Sequence, residues 1–597
     1  MSAPNPTHIK PPRTAPWRRG LLLGLVAVGV VGLVARAAWL QLVNNEFLQK
    51  QGDARHVRPE VLQAHRGVIS DRAGEPLAIS TPVDTVGAVP EKLLALPAER
   101  LVELAEMLDM DAASLRAYLE RNADRKFLFL RRHMVPQEAD RILAADFPGV
   151  SREREYRRYY PTGEVAAHLV GLTNVEDEGQ EGLERAYDEW LQGRPGKKLM
   201  IKDLLGRAVR DVKLVSEPEP GKDLALSIDR EIQYLAYREL KAAVIEHRAK
   251  GGSVVVMDAT SGEVLALVNQ PSYNPNDRGG LRTELMRNAA VLDTFEPGST
   301  IKPFTVLAGL RSGAYTPATH INTAPGLFRV GRHTISDVHN YGDIDVSTII
   351  QKSSNVGVAK IALAIGAEPV ADVLTRAGFG ENTGTGFPNE SAGTVRPFND
   401  WVRLDVATIA FGYGMTVTPL QLARAYAVLA NRGVRTQVSL LKVDGEPNRE
   451  QVFEPALVRS VVEMMERVTL TGGTATLAQI DHYRVAGKTG TVKKSVGGGY
   501  ADDSYVAVFA GFTPVEGRSL VGVVVIDEPR GDQYYGGLVA APVFKRVMAG
   551  ALRLLNIPPD QPEQPDTRQA RTPGGAPVAD RVVAPVVDAG RITEPPA

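Results

Sequence analysis

A chain of 597 residues is too long for one ordinary domain. With 44% apolar and 23% charged residues it has a globular composition, and its net charge of -1 offers no electrostatic footprint for a nucleic-acid partner. The absence of cysteine excludes disulfides, cysteine-ligated metal sites and a thiol nucleophile.

The first predicted element is a transmembrane helix over 20–40. GLLLGLVAVGVVGLVA, Gly20 to Ala35, has no charge, and AAWLQLV continues the apolar run past Arg36. About 20 such residues cross the hydrocarbon core. Arg36 lies near one end, where it can snorkel, and Trp17 and Trp39 sit where interfacial aromatics belong. Residues 1–19 carry Lys10, Arg13, Arg18 and Arg19 and no acid, whereas the far flank balances Lys50 and Arg55 against Glu46 and Asp53. The positive-inside rule makes 1–19 a cytoplasmic tail and puts the chain after about residue 41 outside the cytoplasm. Ala35-Arg36-Ala37 also has the small-x-small form of a signal-peptide cleavage site; the long basic leader and the continuing apolar run favour a retained anchor.

Residues 41–220 are polar and irregular, with mixed signals. RGVISDRAGEPLAIS (Arg66 to Ser80) predicts strand, glycine turn, strand. EKLLALPAERLVELAEMLDM and DAASLRAYLERNADR have helical spacing. No chemistry stands out there, and the bland reading is a folded spacer or docking module. SEPEPGKD (Ser216 to Asp223) is a linker signal.

The segment 221–557 predicts one α/β (α+β) domain: the strand LALSID, the amphipathic helix REIQYLAYRELKAAVIEHRAK, and a hairpin GSVVVMDATSGEVLALVN turning at Ala259–Gly262. Two apolar strands, SYVAVFAGFTP and RSLVGVVVIDEP, and a closing helix, APVFKRVMAGALRLL, end it. Residues 558–597, rich in Pro, Gly, Asp and Arg, predict a disordered tail.

Chemistry concentrates at three places. In FEPGSTIKPF, Ser299 and Lys302 share one helix face, and Pro303 fits only a first turn. A serine needs a base, and for lysine to serve, its pKa near 10.4 must fall by roughly three units, which costs about 4 kcal/mol. Burial and a second cation, Lys488, could do this. Ser-x-x-Lys alone is weak: Ser439–Lys442 repeats it in a strand-like run, where the two side chains point apart. Ser353-Ser354-Asn355 and Lys488-Thr489-Gly490-Thr491 follow in order; a Ser-x-Asn also occurs at Ser272–Asn274, but Lys-Thr-Gly occurs once. Singly, Ser299 reads as a helix cap, Ser353 and Asn355 as caps, and Lys488–Gly490 as a turn. The histidines show no metal spacing.

Together and in this order the three motifs resemble those of penicillin-binding proteins and serine β-lactamases. RGVISDRAGEPLA, YYPTGEVAAHLVG and EGLERAYDEWLQG look like the N-terminal module of the class B penicillin-binding proteins, and FEPGSTIKPF, FGYGMTVTPLQLARAYAVLANRG and YYGGLVAAPVFK look like the division-specific branch. One departure is Arg287-Asn288-Ala289, where that branch often has Arg-Asn-Arg.

The resemblance implies a transpeptidase fold with a central antiparallel sheet, behind an elongated α+β pedestal of dimerisation type. It implies that Ser299 attacks the penultimate D-alanine carbonyl of a peptidoglycan stem peptide ending in D-Ala-D-Ala, with Lys302 as base. Ser353 would relay a proton, Asn355 would position substrate and Lys302, and Lys488, Thr489 and Thr491 would bind the terminal carboxylate. Gly490 would allow close approach of the edge strand, and the Ser299 and Thr491 amides would form the oxyanion hole. No cofactor or metal is implied. β-Lactams would acylate the same serine, and an FtsW-like membrane glycosyltransferase and other divisome membrane proteins would be partners at the inner (cytoplasmic) membrane. The elongation-specific sibling is the nearest rival; a serine β-lactamase or a silent divisome scaffold is more remote.

Overall fold

The structure, a computed structural model, describes residues 16–42, 57–202, 208–496 and 499–561. Most of the predicted tail, 562–597, and the basic leader, 1–15, lie outside the described residues. Pro16–Leu42 is a single helix of 27 residues, about 40 Å long. Among the described residues it is the one helix long and apolar enough to cross a membrane, and its leucines and valines from Leu21 to Val34 stand exposed.

The rest divides into two compact units, neither of them one continuous stretch. In the first, residues 84–154 pack the short helices Ala98–Met107, Ala112–Arg121 and Pro136–Ala144 around a core of Leu101, Leu104, Leu115, Leu119, Ile142 and Phe147. The helical spacing of EKLLALPAERLVELAEMLDM resolves into two helices, Pro90–Leu94 and Ala98–Met107, because Pro97 cannot continue a helix from the preceding turn. A three-stranded ribbon, Val57–Leu62, Gly196–Lys202 and Ala208–Ser216, belongs to the same unit.

The second unit takes residues 65–83, 155–193 and the chain from 220 on. Its frame is a five-stranded antiparallel sheet in the order Val264–Gln270, Gly251–Asp258, Leu520–Asp527, Gly499–Thr513, Ala486–Val496. The predicted hairpin supplies the first two strands, and both are buried along their whole length, so they read as continuous apolar runs rather than alternating ones. Helices Arg230–Glu246 and Ala541–Leu554 pack against the sheet. The expected strand LALSID shortens to Leu224–Ala225: Asp229 caps the next helix by accepting from the Glu231 and Ile232 amides, and Ser227 N donates to Leu440 O. The last strand, Ala486–Val496, is the open edge of the sheet and carries Lys488–Thr491.

The three N-terminal stretches RGVISDRAGEPLA, YYPTGEVAAHLVG and EGLERAYDEWLQG all lie in this second unit. They surround one buried ion cluster that the sequence did not reveal. Glu184, with 0% exposure, accepts from Arg66 Nε at 2.8 Å and from Arg158 Nε at 2.6 Å. Arg66 Nη1 also donates to Asp188 Oδ1 at 2.7 Å, and Arg158 Nη1 to the Gly67 carbonyl at 2.8 Å. Removing one partner of a buried cluster leaves the others charged and unpaired, a loss of about 3–5 kcal/mol. Glu184→Ala is therefore expected to lower the melting temperature of the full-length protein by roughly 5 °C or more. Thermal unfolding in detergent checks this, and an unchanged midpoint would contradict it.

Candidate active site

Ser299 lies in a single 3-10 turn, Gly298–Ile301, that leads into the α-helix Lys302–Arg311, with Pro303 in its first turn as the sequence demands. The turn is tightly framed. Gly298 has φ of +54°, and a Cβ there would stand 2.4 Å from Val492 Cγ2 of the edge strand. Gly298 N donates to Gly412 O at 3.2 Å, and a Cβ on Gly412 would stand 2.1 Å from Gly298 O. Tyr426 Oη donates to Thr300 O at 2.8 Å, and Gly414 N to Glu296 Oε1 at 2.8 Å. The run FGYGMTVTPLQLARAY thus backs the serine from both sides.

Lys302 and Lys488 both have 0% exposure. They come from different elements and meet at Ser353. Lys302 Nζ donates to Ser353 O at 2.5 Å, to Ser353 Oγ at 3.1 Å and to Asn355 Oδ1 at 2.7 Å. Lys488 Nζ donates to Ser353 Oγ at 2.9 Å and to Thr489 O at 3.2 Å. Ser353 adopts the left-handed conformation, φ 61° and ψ 39°, at the end of helix Val346–Lys352. That conformation costs a non-glycine residue on the order of 1–2 kcal/mol and turns the Ser353 carbonyl toward Lys302. The hydrogen bonds of Lys302 Nζ go to Ser353 and Asn355 rather than to the Ser299 hydroxyl.

Burial holds the Lys302 ammonium well below the usual lysine range; repulsion from Lys488 adds to this, and Asp337 opposes it. Burial brings Lys488 down to about 7. The lowering that the sequence argument required is thus present at both lysines.

On the opposite face of the edge strand, Thr489 Oγ1 lies 2.9 Å from Thr474 Oγ1, and Thr491 Oγ1 accepts from Gly536 N at 3.0 Å. A Cβ on Gly490 would lie 3.0 Å from Pro297 O and 3.1 Å from Thr300 Cγ2, so this glycine clears room for the Ser299 turn itself. Of the eight singled-out residues, Lys302, Ser353, Asn355 and Lys488 are joined directly by hydrogen bonds; Ser299 leads into the helix of Lys302, Gly490 packs against the Ser299 turn, and Thr489 and Thr491 turn to Thr474 and Gly536. The rejected pair does not meet: Ser439 Oγ donates to Leu441 O, and Lys442 Nζ to Arg72 O.

Sequence reasoning missed Thr474, Asp337 and a stack of tyrosines beside the threonines, Tyr505 over Tyr534 at 4.3 Å and Tyr534 over Tyr535 at 4.5 Å. The Tyr534-Tyr535 pair stands in YYGGLVAAPVFK and was the available signal. The departure at Ala289 opens onto a cavity of 660 Å³ that Gln270, Arg287 and Lys494 also line.

Comparison with known proteins agrees with this geometry. The description "Penicillin binding protein transpeptidase domain" matches residues 252–549, and "Penicillin-binding Protein dimerisation domain" matches residues 61–226. The chain is 42% identical to the peptidoglycan D,D-transpeptidase FtsI of Escherichia coli K12 over 548 residues, covering 91% of this chain and 93% of that one. It is 36% identical to FtsI of Buchnera aphidicola subsp. Schizaphis graminum, over 91% and 96% of the two chains. Among solved structures, the transpeptidase domain of Burkholderia pseudomallei penicillin-binding protein 3 is 40% identical, with a TM-score of 0.52 over 56% of this chain and 98% of that one. Penicillin-binding protein 3 of Mycobacterium tuberculosis, in complex with aztreonam, is 26% identical with a TM-score of 0.66 over 84% and 99%. Likeness of this depth runs through the N-terminal module and the catalytic domain alike, and it makes this chain a member of the penicillin-binding protein family, with a transpeptidase domain behind a dimerisation-type module.

Proposed function

We propose that the protein is a septal peptidoglycan D,D-transpeptidase that works through an acyl-enzyme on Ser299. The observation that carries this is the meeting of two fully buried lysines at Ser353, beside a serine at a helix entrance. Relatives named FtsI, similar over most of both chains, support the division branch over the elongation branch.

In this reading Lys302 acts as the neutral base. Its two short contacts, to Ser353 O and Asn355 Oδ1, occupy both N–H bonds of a neutral amine, so the longer contact to Ser353 Oγ falls on the lone pair, which takes the hydroxyl proton when the serine attacks. Ser299 Oγ attacks the penultimate D-alanine carbonyl while its proton passes to Lys302. The amides of Ser299 and Thr491 hold the oxyanion. The peptide C–N bond breaks, Ser353 Oγ–H gives the departing D-alanine amine its proton, and Lys302 restores that proton to Ser353. Lys488, still charged, with Thr489 and Thr491, binds the terminal carboxylate. The amine of a neighbouring stem then attacks the ester, its proton leaves by Lys302, and Ser299 regains its hydroxyl. A β-lactam opens on the same serine and leaves no departing group to diffuse away.

Around this site we assign 1–19 to the cytoplasm, 20–40 to a single span of the inner membrane, 41–220 to the pedestal and 221–557 to the transpeptidase domain outside the cytoplasm. An FtsW-like glycosyltransferase would supply the glycan strands, and divisome membrane proteins would gather round the pedestal.

A fluorescent penicillin should label the wild type and Ser439→Ala durably, and Ser299→Ala not at all. Label that disappears within seconds would indicate a β-lactamase, and no label on folded wild type a silent scaffold. The second-order acylation constant should fall on the acid side as Lys302 gains its proton, and begin to fall on the alkaline side near pH 7 as Lys488 loses its own. Once a carboxylate is bound it favours the ammonium, so the alkaline limb of the first-order step should lie higher. Gly412→Ala should push the Gly298 carbonyl and slow acylation by roughly tenfold or more, since small misplacements at a reacting centre are costly. A Gly412→Ala rate equal to wild type would contradict the framing of the turn.

A further inference from the structure

Beyond the residues of the three motifs, one carboxylate grips the segment on which both lysines rest. Asp337 Oδ1 accepts from Asn355 N at 2.5 Å and from Val356 N at 3.0 Å. Its Oδ2 accepts from Ser354 Oγ at 2.6 Å. The neighbouring Ser336 carbonyl accepts from Asn355 Nδ2 at 3.0 Å, which fixes the amide so that Oδ1 faces Lys302. Two consecutive residues therefore set the main chain and the side chain of Asn355. They do so at the N-terminus of an apolar helix, Asn355–Ile365, whose free N–H groups and partial positive charge favour a carboxylate. Helix capping alone would be satisfied by Ser354, whose Oγ already accepts from Gly357 N at 2.9 Å. Asp337 adds a full charge that capping does not require.

We infer that Asp337 is a positioning residue for acyl transfer, whose carboxylate locks the Ser353–Asn355 segment under Lys302 and supplies the negative charge that faces that lysine. The inference rests on the acyl-enzyme reading above. The charged groups around Lys302 are Lys488 from the edge strand, which repels its proton, and Asp337, which retains it. Asp337 also faces Tyr341: burial first, and Asp337 after it, raise that hydroxyl above the usual tyrosine range, and Tyr341 Oη donates to Lys352 O at 3.4 Å. Ser353 and Asn355, between these groups, are neutral. Asp337 thus counters Lys488, and it keeps Lys302 from losing its proton as completely as burial and repulsion alone would cause.

The test is the pH profile of acylation by fluorescent penicillin, measured on the full-length protein in detergent for wild type, Asp337→Asn and Ser354→Ala. Asn is nearly isosteric and keeps an acceptor for the two amides, but it loses the Oδ2 acceptor of the Ser354 hydroxyl together with the charge; Ser354→Ala removes that same contact and leaves the charge, so it is the control. Loss of that charge should move the acid-side midpoint down by about one pH unit. Ser354→Ala loosens the clamp without changing charge, so it should slow acylation a few-fold at every pH and leave the midpoint in place. If Asp337→Asn does not melt cooperatively, Asp337→Ser carries the same expectation. A folded Asp337 variant whose midpoint matches or exceeds that of wild type overturns the inference, as does a Ser354→Ala shift equal to that of Asp337→Asn. An unlabelled wild type would instead overturn the acyl-enzyme reading on which it rests.

Discussion

Two lysine amino groups with no exposed surface converge on the hydroxyl of Ser353, and the rest of the catalytic domain is arranged around that convergence. Burying a lysine costs free energy because the charged form loses its water. For Lys488, held at about 7, the cost at neutral pH is on the order of 5 kcal/mol relative to an unfolded chain. Because the folded value is below the unfolded one, this penalty is complete below about pH 7 and is relieved as pH rises toward 10. A fold carries such a burden only where function returns it. Under the proposed function, the return is an amine that can stay neutral beside Ser299, next to a second buried lysine.

The surroundings hold that arrangement by geometry more than by strong bonds. Ser353 sits in a left-handed conformation, fixed by Asp337 on the segment that follows it. Gly298, Gly412 and Gly490 let three backbones approach where a Cβ would collide. The sheet positions Lys488 because strand residues alternate faces: Lys488 and Gly490 point at the nucleophile turn, while Thr489 and Thr491 point at Thr474 and Gly536. The Arg66–Glu184–Arg158 cluster ties the N-terminal stretches of the same unit together with ion pairs.

Much of this was legible in the residues, and what was not has a physical reason. The hairpin over 251–270 and the two late strands were readable as apolar runs around turn signals. Ser299 and Lys302 were readable because helix spacing is local, and Lys488 because its motif occurs once. Asp337 was not: a carboxylate in a loop carries no period, and its partners are fixed only by the folded chain. Glu184 and Arg66 are separated by 118 residues, so nothing local distinguishes them from the chain's many exposed charges. The Pro97 break and the shortened LALSID strand show local chemistry, a missing N–H and an aspartate cap, overriding apolar patterning.

The central claim is that repulsion between the buried lysines helps to keep Lys302 neutral. It is tested most directly by the pH dependence of the residual acylation of Lys488→Met, a variant that fills the same space without charge. With one cation gone, Lys302 should hold its proton more tightly, and the acid-side midpoint should move to higher pH than in wild type. A midpoint that stays in place or moves lower would contradict the account.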